Sequence, residues 1–158
     1  MILKDLDLAS VCIYCEAWLE PDEGKAAVAR VLRNRINKLY ESDGTMQGTV
    51  LRYDQFSWAW FAYVNGKYTR ISDNQHMALS VAEFKLKHAP AFALSRCAQI
   101  YIAVKNGEFK GDLYNKLTDE AVLYLNPHIV EHMPSWADPT LLVATIGNHN
   151  FYKAGEPK

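Results

Sequence analysis

Five apolar residues near the start of the chain, Leu8, Val11, Cys12, Cys15 and Leu19, recur at the spacing of one helix face, and Pro21 follows them. That period predicts an amphipathic helix over Leu6 to Leu19, stopped near Glu20 because the residue before a proline is disfavoured in helical conformation. At 100° per residue, Glu16 falls roughly 80° from the centre of the stripe and Glu20 roughly 120°. Glu16 is therefore expected at the edge of the buried face, and Glu20 further toward solvent. A carboxyl group at such an edge is partly desolvated and keeps its proton near neutral pH, the state a general acid needs.

The next segments follow from the same reasoning. Pro21-Asp22-Glu23 opens a second helix, with acidic residues where the helix dipole favours them. It is predicted to run to about Tyr40 on a stripe of Gly24, Val28, Val31, Leu32 and Leu39, with Arg35 inside the stripe. An arginine there needs a carboxylate or carbonyl partner, or a stem that packs while its head reaches water. Glu20 is the expected partner if the two helices form a hairpin. Ser42-Asp43-Gly44 is a turn, Val50 to Tyr53 a short apolar piece, and Val64-Asn65-Gly66-Lys67 a hairpin tip. Helices are predicted from about Asp73 to Lys87 and from Phe92 to Lys105, the second ended by Asn106-Gly107. Extended pieces follow over Val122 to Leu125 and Val143 to Tyr152. The fold class is α+β, helix-dominated with a small β-sheet.

Bulk properties narrow the function. With 158 residues, 49% of them hydrophobic and 22% charged, the chain reads as one domain of a soluble globular protein. A net charge of -1 gives no overall attraction to nucleic acid or to an anionic membrane. No apolar run is long enough to span a membrane, and Asp5 and Asp7 interrupt any signal-peptide core, so synthesis in the cytoplasm without a signal peptide is expected. The odd set Cys12, Cys15 and Cys97 fits a reducing compartment. Cys12 and Cys15 read as small buried hydrophobes, with a Cys-x-x-Cys redox pair as the alternative.

Four constellations carry candidate chemistry. Glu16 and Glu20 stand one helical turn apart, where crowding raises the pKa of one of them or, in the plainer reading, both face solvent. Gln55-Phe56-Ser57-Trp58-Ala59-Trp60-Phe61 gathers two indoles and two phenyl rings with an amide and a hydroxyl. That strip suits sugar faces, or fills a core. His128, His132 and His149 offer a three-histidine zinc set, although Met133-Pro134 interrupts any helix there. Tyr124-Leu125-Asn126-Pro127, Trp136 and Ile146-Gly147-Asn148-His149-Asn150-Phe151-Tyr152 place amides, rings and a glycine bend at strand ends.

Taken in order, Glu16-Ala17, Glu20-Pro21, Glu23-Gly24, Ala27-Val28-Ala29, Val31, Asn34-Arg35, Gln55-Phe56-Ser57-Trp58, Tyr124, Asn126-Pro127, Pro134, Trp136, Ile146-Gly147, His149 and Phe151-Tyr152 resemble the cell wall hydrolases of the SleB/CwlJ type, the spore cortex-lytic enzymes and related phage lysins. The resemblance runs from about residue 9 to 153, within a single catalytic domain spanning 1–158. It departs at Cys15, where the family commonly has Gly, at Trp18-Leu19, where it has Arg-Gly, and at Leu123, where a His is common.

The resemblance implies a compact lysozyme-like domain that cleaves the glycan strand of peptidoglycan between N-acetylmuramic acid and N-acetylglucosamine. It implies a lytic transglycosylase with Glu16 as its one catalytic acid and no cofactor or metal. Glu20, Gln55, Phe56, Ser57, Trp58, Tyr124, Asn126, Trp136, His149 and Tyr152 are the expected substrate-binding residues, with Phe56, Trp58 and Trp136 shaping the groove. A monomeric phage endolysin, released to act on the wall, suits the chain. Three alternatives remain at this point: a muramidase that hydrolyses the same bond, a zinc-dependent muramoyl-alanine amidase on the three histidines, and a non-catalytic glycan-binding module.

Overall fold

The structure is a computed structural model that describes residues 3–71 and 75–156. Six helices, a two-stranded hairpin and a three-stranded sheet follow one another as α1 (Asp5–Ala17), α2 (Asp22–Lys38), α3 (Met46–Val50), α4 (Ser57–Trp60), β1 (Phe61–Val64), β2 (Lys67–Arg70), α5 (Gln75–His88), α6 (Ala91–Lys105), β3 (Ala121–Leu125), β4 (Leu142–Ile146) and β5 (His149–Lys153). This is the expected α+β arrangement.

Helix α1 is the hub. It packs against α2, α3, α5 and α6, so Leu8, Ala9, Ser10, Val11, Cys12 and Ile13 are all buried and the burial runs round the helix. A helix with neighbours on several sides is buried well beyond one stripe. The stripe also ends sooner than predicted. The helix stops at Ala17, Leu19 is 95% exposed, and Glu20 is only 7% exposed. The expected order of burial for Glu16 and Glu20 is thus corrected. The chain has left the helix by residue 18, so the helical projection no longer applies to Glu20. Gly24 makes room for this turn, since a Cβ there would lie 2.9 Å from Cβ of Glu20.

Helix α2 opens behind Pro21 with Asp22 and Glu23 in its first turn, and ends when Leu39 turns left-handed at φ 56°. Leu39, assigned to the stripe, is therefore beyond the helix and exposed. Thr45 caps α3 by accepting the N–H of Gly48 at 2.9 Å, and neither α3 nor α4 was predicted; both are too short to show a period. Asn65-Gly66 forms the expected hairpin tip, at φ 51° and 79°. The predicted start of α5 at Asp73 lies outside the described residues.

The single extended piece expected over 143–152 is two strands. β4 and β5 pair antiparallel around Gly147 at φ 59°, and β5 sits in the middle of the sheet order β3-β5-β4. One sheet face packs on α2, where Ala27 and Val31 meet Ala121, Ala144, Ile146 and Phe151. The other holds Leu123, Leu125 and Tyr152 with Trp136 and Leu141 against it.

Candidate active site

Glu16 occupies the last turn of α1 and points at β3, where the hydroxyl of Tyr124 donates to its Oε1 at 2.6 Å. Tyr124 and Phe151 are paired across β3 and β5, on the sheet face turned toward the helices. Burial pushes the Glu16 carboxyl above the usual carboxylate range. The Tyr124 hydrogen bond and the positive charge of Arg35 pull the other way and do not cancel it. Burial, reinforced by the charge of Glu16, keeps the Tyr124 phenol well above its ordinary value, so it remains a donor.

Arg35 is 4% exposed. Its Nε donates to the Val122 carbonyl at 2.7 Å and a terminal nitrogen to Gln55 Oε1 at 3.2 Å, while the guanidinium lies over the rings of Phe56 and Tyr40. The predicted Glu20–Arg35 pair does not form. Glu20 instead takes the backbone N–H of Asn148 on Oε1 at 2.7 Å and its side-chain amide on Oε2 at 3.0 Å. Nδ1 of His149 lies 3.2 Å from the same Oε1, without the alignment of a hydrogen bond. Burial lowers the pKa of His149, against the opposing pull of Glu20. Lys25 donates to the Glu20 carbonyl and sits over the Trp18 ring. The β4–β5 turn is thereby fastened to the α1–α2 turn.

Glu16, Glu20, Asn148 and His149 border a groove of about 280 Å³, lined also by Tyr14, Trp18, Leu19, Asn126 and Ile129, with Tyr124 behind Glu16. The structure thus brings Glu16, Glu20, Tyr124, Asn126 and His149 together. Gln55 does not line the groove and acts on Arg35 instead. Ser57 is exposed outside it.

Phe56 and Trp58 are corrected as groove walls. They are 2% and 6% exposed, because the strip folds as the short helix α4 with its rings in the core. Trp136 and Tyr152 are corrected as well. They stack edge to face at 5.6 Å on the opposite side of the sheet from Tyr124, since alternate strand residues face opposite ways. His128 and His132 are exposed, and no three His, Cys, Asp or Glu side chains among the described residues are placed to hold a metal ion, so the zinc set does not assemble. Cys12, Cys15 and Cys97 are free thiols.

The amino-acid order places the Asn148 amide beside a glycine bend but does not pair it with Glu20, and it does not mark Leu19 and Ile129 as the groove's apolar edges. Asn148 follows Gly147 in a hairpin turn, which is its only local signal. The two edges come from separate loops and share no period.

Residues 19–152 match the family model described as Cell Wall Hydrolase. The fold is also that of two solved structures. The catalytic domain of the germination-specific lytic transglycosylase SleB from Bacillus anthracis is 21% identical, with TM-score 0.63 over 97% of each chain. The catalytic domain of the Bacillus cereus SleB protein is 22% identical, with TM-score 0.61 over 94% of this chain and 89% of that one. Among curated proteins no sequence matches significantly.

Proposed function

The chain belongs to the cell wall hydrolase family, and from that premise we propose that it cleaves the glycan strand of peptidoglycan as a lytic transglycosylase with Glu16 as its acid. The observation that carries the reading is the contrast between the two glutamates of the groove. Glu16 has a raised pKa and a single hydrogen bond, whereas both oxygens of Glu20 are held by Asn148. One carboxyl is free to exchange a proton and the other is a fixed anchor.

One exchangeable acid suffices for this reaction. Protonated Glu16 gives its proton to the oxygen bridging N-acetylmuramic acid and N-acetylglucosamine, and that C–O bond breaks through an oxocarbenium-like state. The Glu16 carboxylate then takes the proton of the muramic C6 hydroxyl as its oxygen bonds to C1. The products are a 1,6-anhydro end and a reprotonated Glu16, with no water consumed. Tyr124 orients the carboxyl and holds its ionised form between the two steps. Hydrolysis with inversion would need a second free carboxylate to hold water roughly 6.5–9.5 Å away. Among the described residues that line the groove, the only other carboxylate is the anchored Glu20.

The proposal extends to a monomeric, phage-type endolysin made in the cytoplasm and released to the wall. Three unpaired cysteines support synthesis in a reducing compartment. No described helix is long and apolar enough to cross a membrane.

Mass spectrometry of digested sacculi tests the chemistry. Anhydro-muramic ends are expected. New reducing ends would mean hydrolysis, free stem peptides an amidase, and retention on sacculi without release of fragments a binding module. Glu16→Gln keeps the shape and removes the titratable proton, so it is expected to stop release; release at the parent rate overturns the assignment.

A further inference from the structure

A second and larger cleft lies elsewhere on the molecule and shares no residue with the Glu16 groove. It encloses about 540 Å³. One wall is a stripe of α2, Arg30, Arg33, Asn34 and Asn37, whose i, i+3, i+4, i+7 spacing sets them on one face. Arg35 lies roughly 140° round the same helix from Arg30, so α2 separates this cleft from the buried Arg35 beside Glu16. The facing wall is the end of α6 and the segment after it, with Lys105 and Lys110.

The cleft is cationic in a chain whose net charge is -1. Arg30, Arg33, Lys105 and Lys110 line it against one acid, Asp119, which is paired with Arg30. Arg33 donates to the Tyr101 hydroxyl at 3.4 Å, and among the described residues neither Lys105 nor Lys110 has an acid partner. The walls are fixed in place. Asn34 donates to the carbonyls of Thr118 and Ala121, and Glu23 accepts the N–H groups of Leu113 and Tyr114 at 3.0 Å each. Such a preformed cleft focuses positive potential and loses little entropy on binding.

We propose that this cleft binds a phosphodiester polymer of the cell envelope and so holds the enzyme on the wall it cleaves. The choice of a wall polymer rests on the function proposed above, whereas the binding rests on the cleft alone. Cations on two facing walls, with Arg30 and Arg33 about 5 Å apart along the helix axis, match a chain of repeated charges better than a single anion. Guanidinium forks pair with the two non-bridging oxygens of a phosphodiester, which stays ionised at every working pH.

Calorimetric titration of the purified protein with poly(glycerol phosphate), poly-L-glutamate and a DNA duplex, at low and high salt, tests this. Saturable binding of poly(glycerol phosphate) is expected, stronger than that of the other two probes and weakened by salt. The triple variant Arg33→Gln, Lys105→Gln, Lys110→Gln should bind about tenfold more weakly. It should still release anhydro ends from polymer-free glycan at the parent rate, which separates this proposal from the catalytic one. Asp119→Asn removes the one acid among the described residues of the cleft and should tighten binding, a readout that stands even if the triple variant folds poorly. Absence of saturable binding, equal affinity in the triple variant, unchanged or weaker affinity in Asp119→Asn, or equal affinity for polyglutamate or DNA overturns the proposal.

Discussion

The hydroxyl of Tyr124 donates a 2.6 Å hydrogen bond to Glu16 Oε1 across 108 positions of sequence. A donor to a carboxylate favours its ionised form, while burial of the same group favours its protonated form. Here burial prevails and the Glu16 pKa is raised. The pair thus sets the pH at which the acid is lost.

Tyr124→Phe removes the hydrogen bond that opposes burial. The Glu16 pKa should rise further, and because activity requires the protonated acid, the alkaline limb of the rate profile should move to higher pH. Loss of orientation should lower kcat by about tenfold. A pH profile of fragment release checks both. An unmoved or acid-shifted limb contradicts the assigned role.

Glu16→Gln should make the protein more stable at neutral pH. The folded-state pKa of Glu16 lies above its unfolded value, so the stability tied to its protonated form is complete below the unfolded pKa and is lost as pH rises through the folded one. The amide does not titrate. It should gain about 1 kcal/mol over the parent at neutral pH, with the gap closing in acid. Denaturant unfolding at several pH values measures this.

His149 titrates in the opposite sense. Its folded pKa is lowered, chiefly by burial, so its contribution to stability is present above the unfolded imidazole pKa and is lost as pH falls through the folded value. His149→Phe keeps a ring against Tyr124 and Phe151, and should flatten the fall of unfolding free energy in the window just below the ordinary imidazole pKa. An unchanged slope would show that other groups cause it.

Gly147→Ala tests the clamp between the two turns. The residue sits at φ 59°, and a Cβ there would lie 2.8 Å from Glu20 Oε1. A loss of about 2 kcal/mol is expected from the left-handed backbone and the displaced carboxylate together. Activity should fall as well, because His149 and Phe151 share the β5 strand that supports Tyr124. Thermal unfolding and fragment release report the two effects separately.

The Glu16 edge position, the helix stop before Pro21, the β1–β2 tip and the α+β class were all legible in the amino-acid order. Each depends on a local period or on the dihedral limits of proline and glycine, which act within a few residues. The place of Glu20, by contrast, was misread because its burial comes from the Gly147 hairpin, which is far away in sequence. Phe56 and Trp58 were misread for a related reason: composition marks an aromatic strip without saying which side of it meets the core.

The sequence by itself determined which residues have the chemistry to donate a proton and that the first helix breaks off ahead of Pro21. Only the tertiary structure decided that Tyr124 holds Glu16, that Asn148 holds Glu20, and that Tyr152 and Trp136 lie behind the sheet. Desolvation and hydrogen bonding between residues more than a hundred positions apart arise only from packing, and no local spacing encodes them.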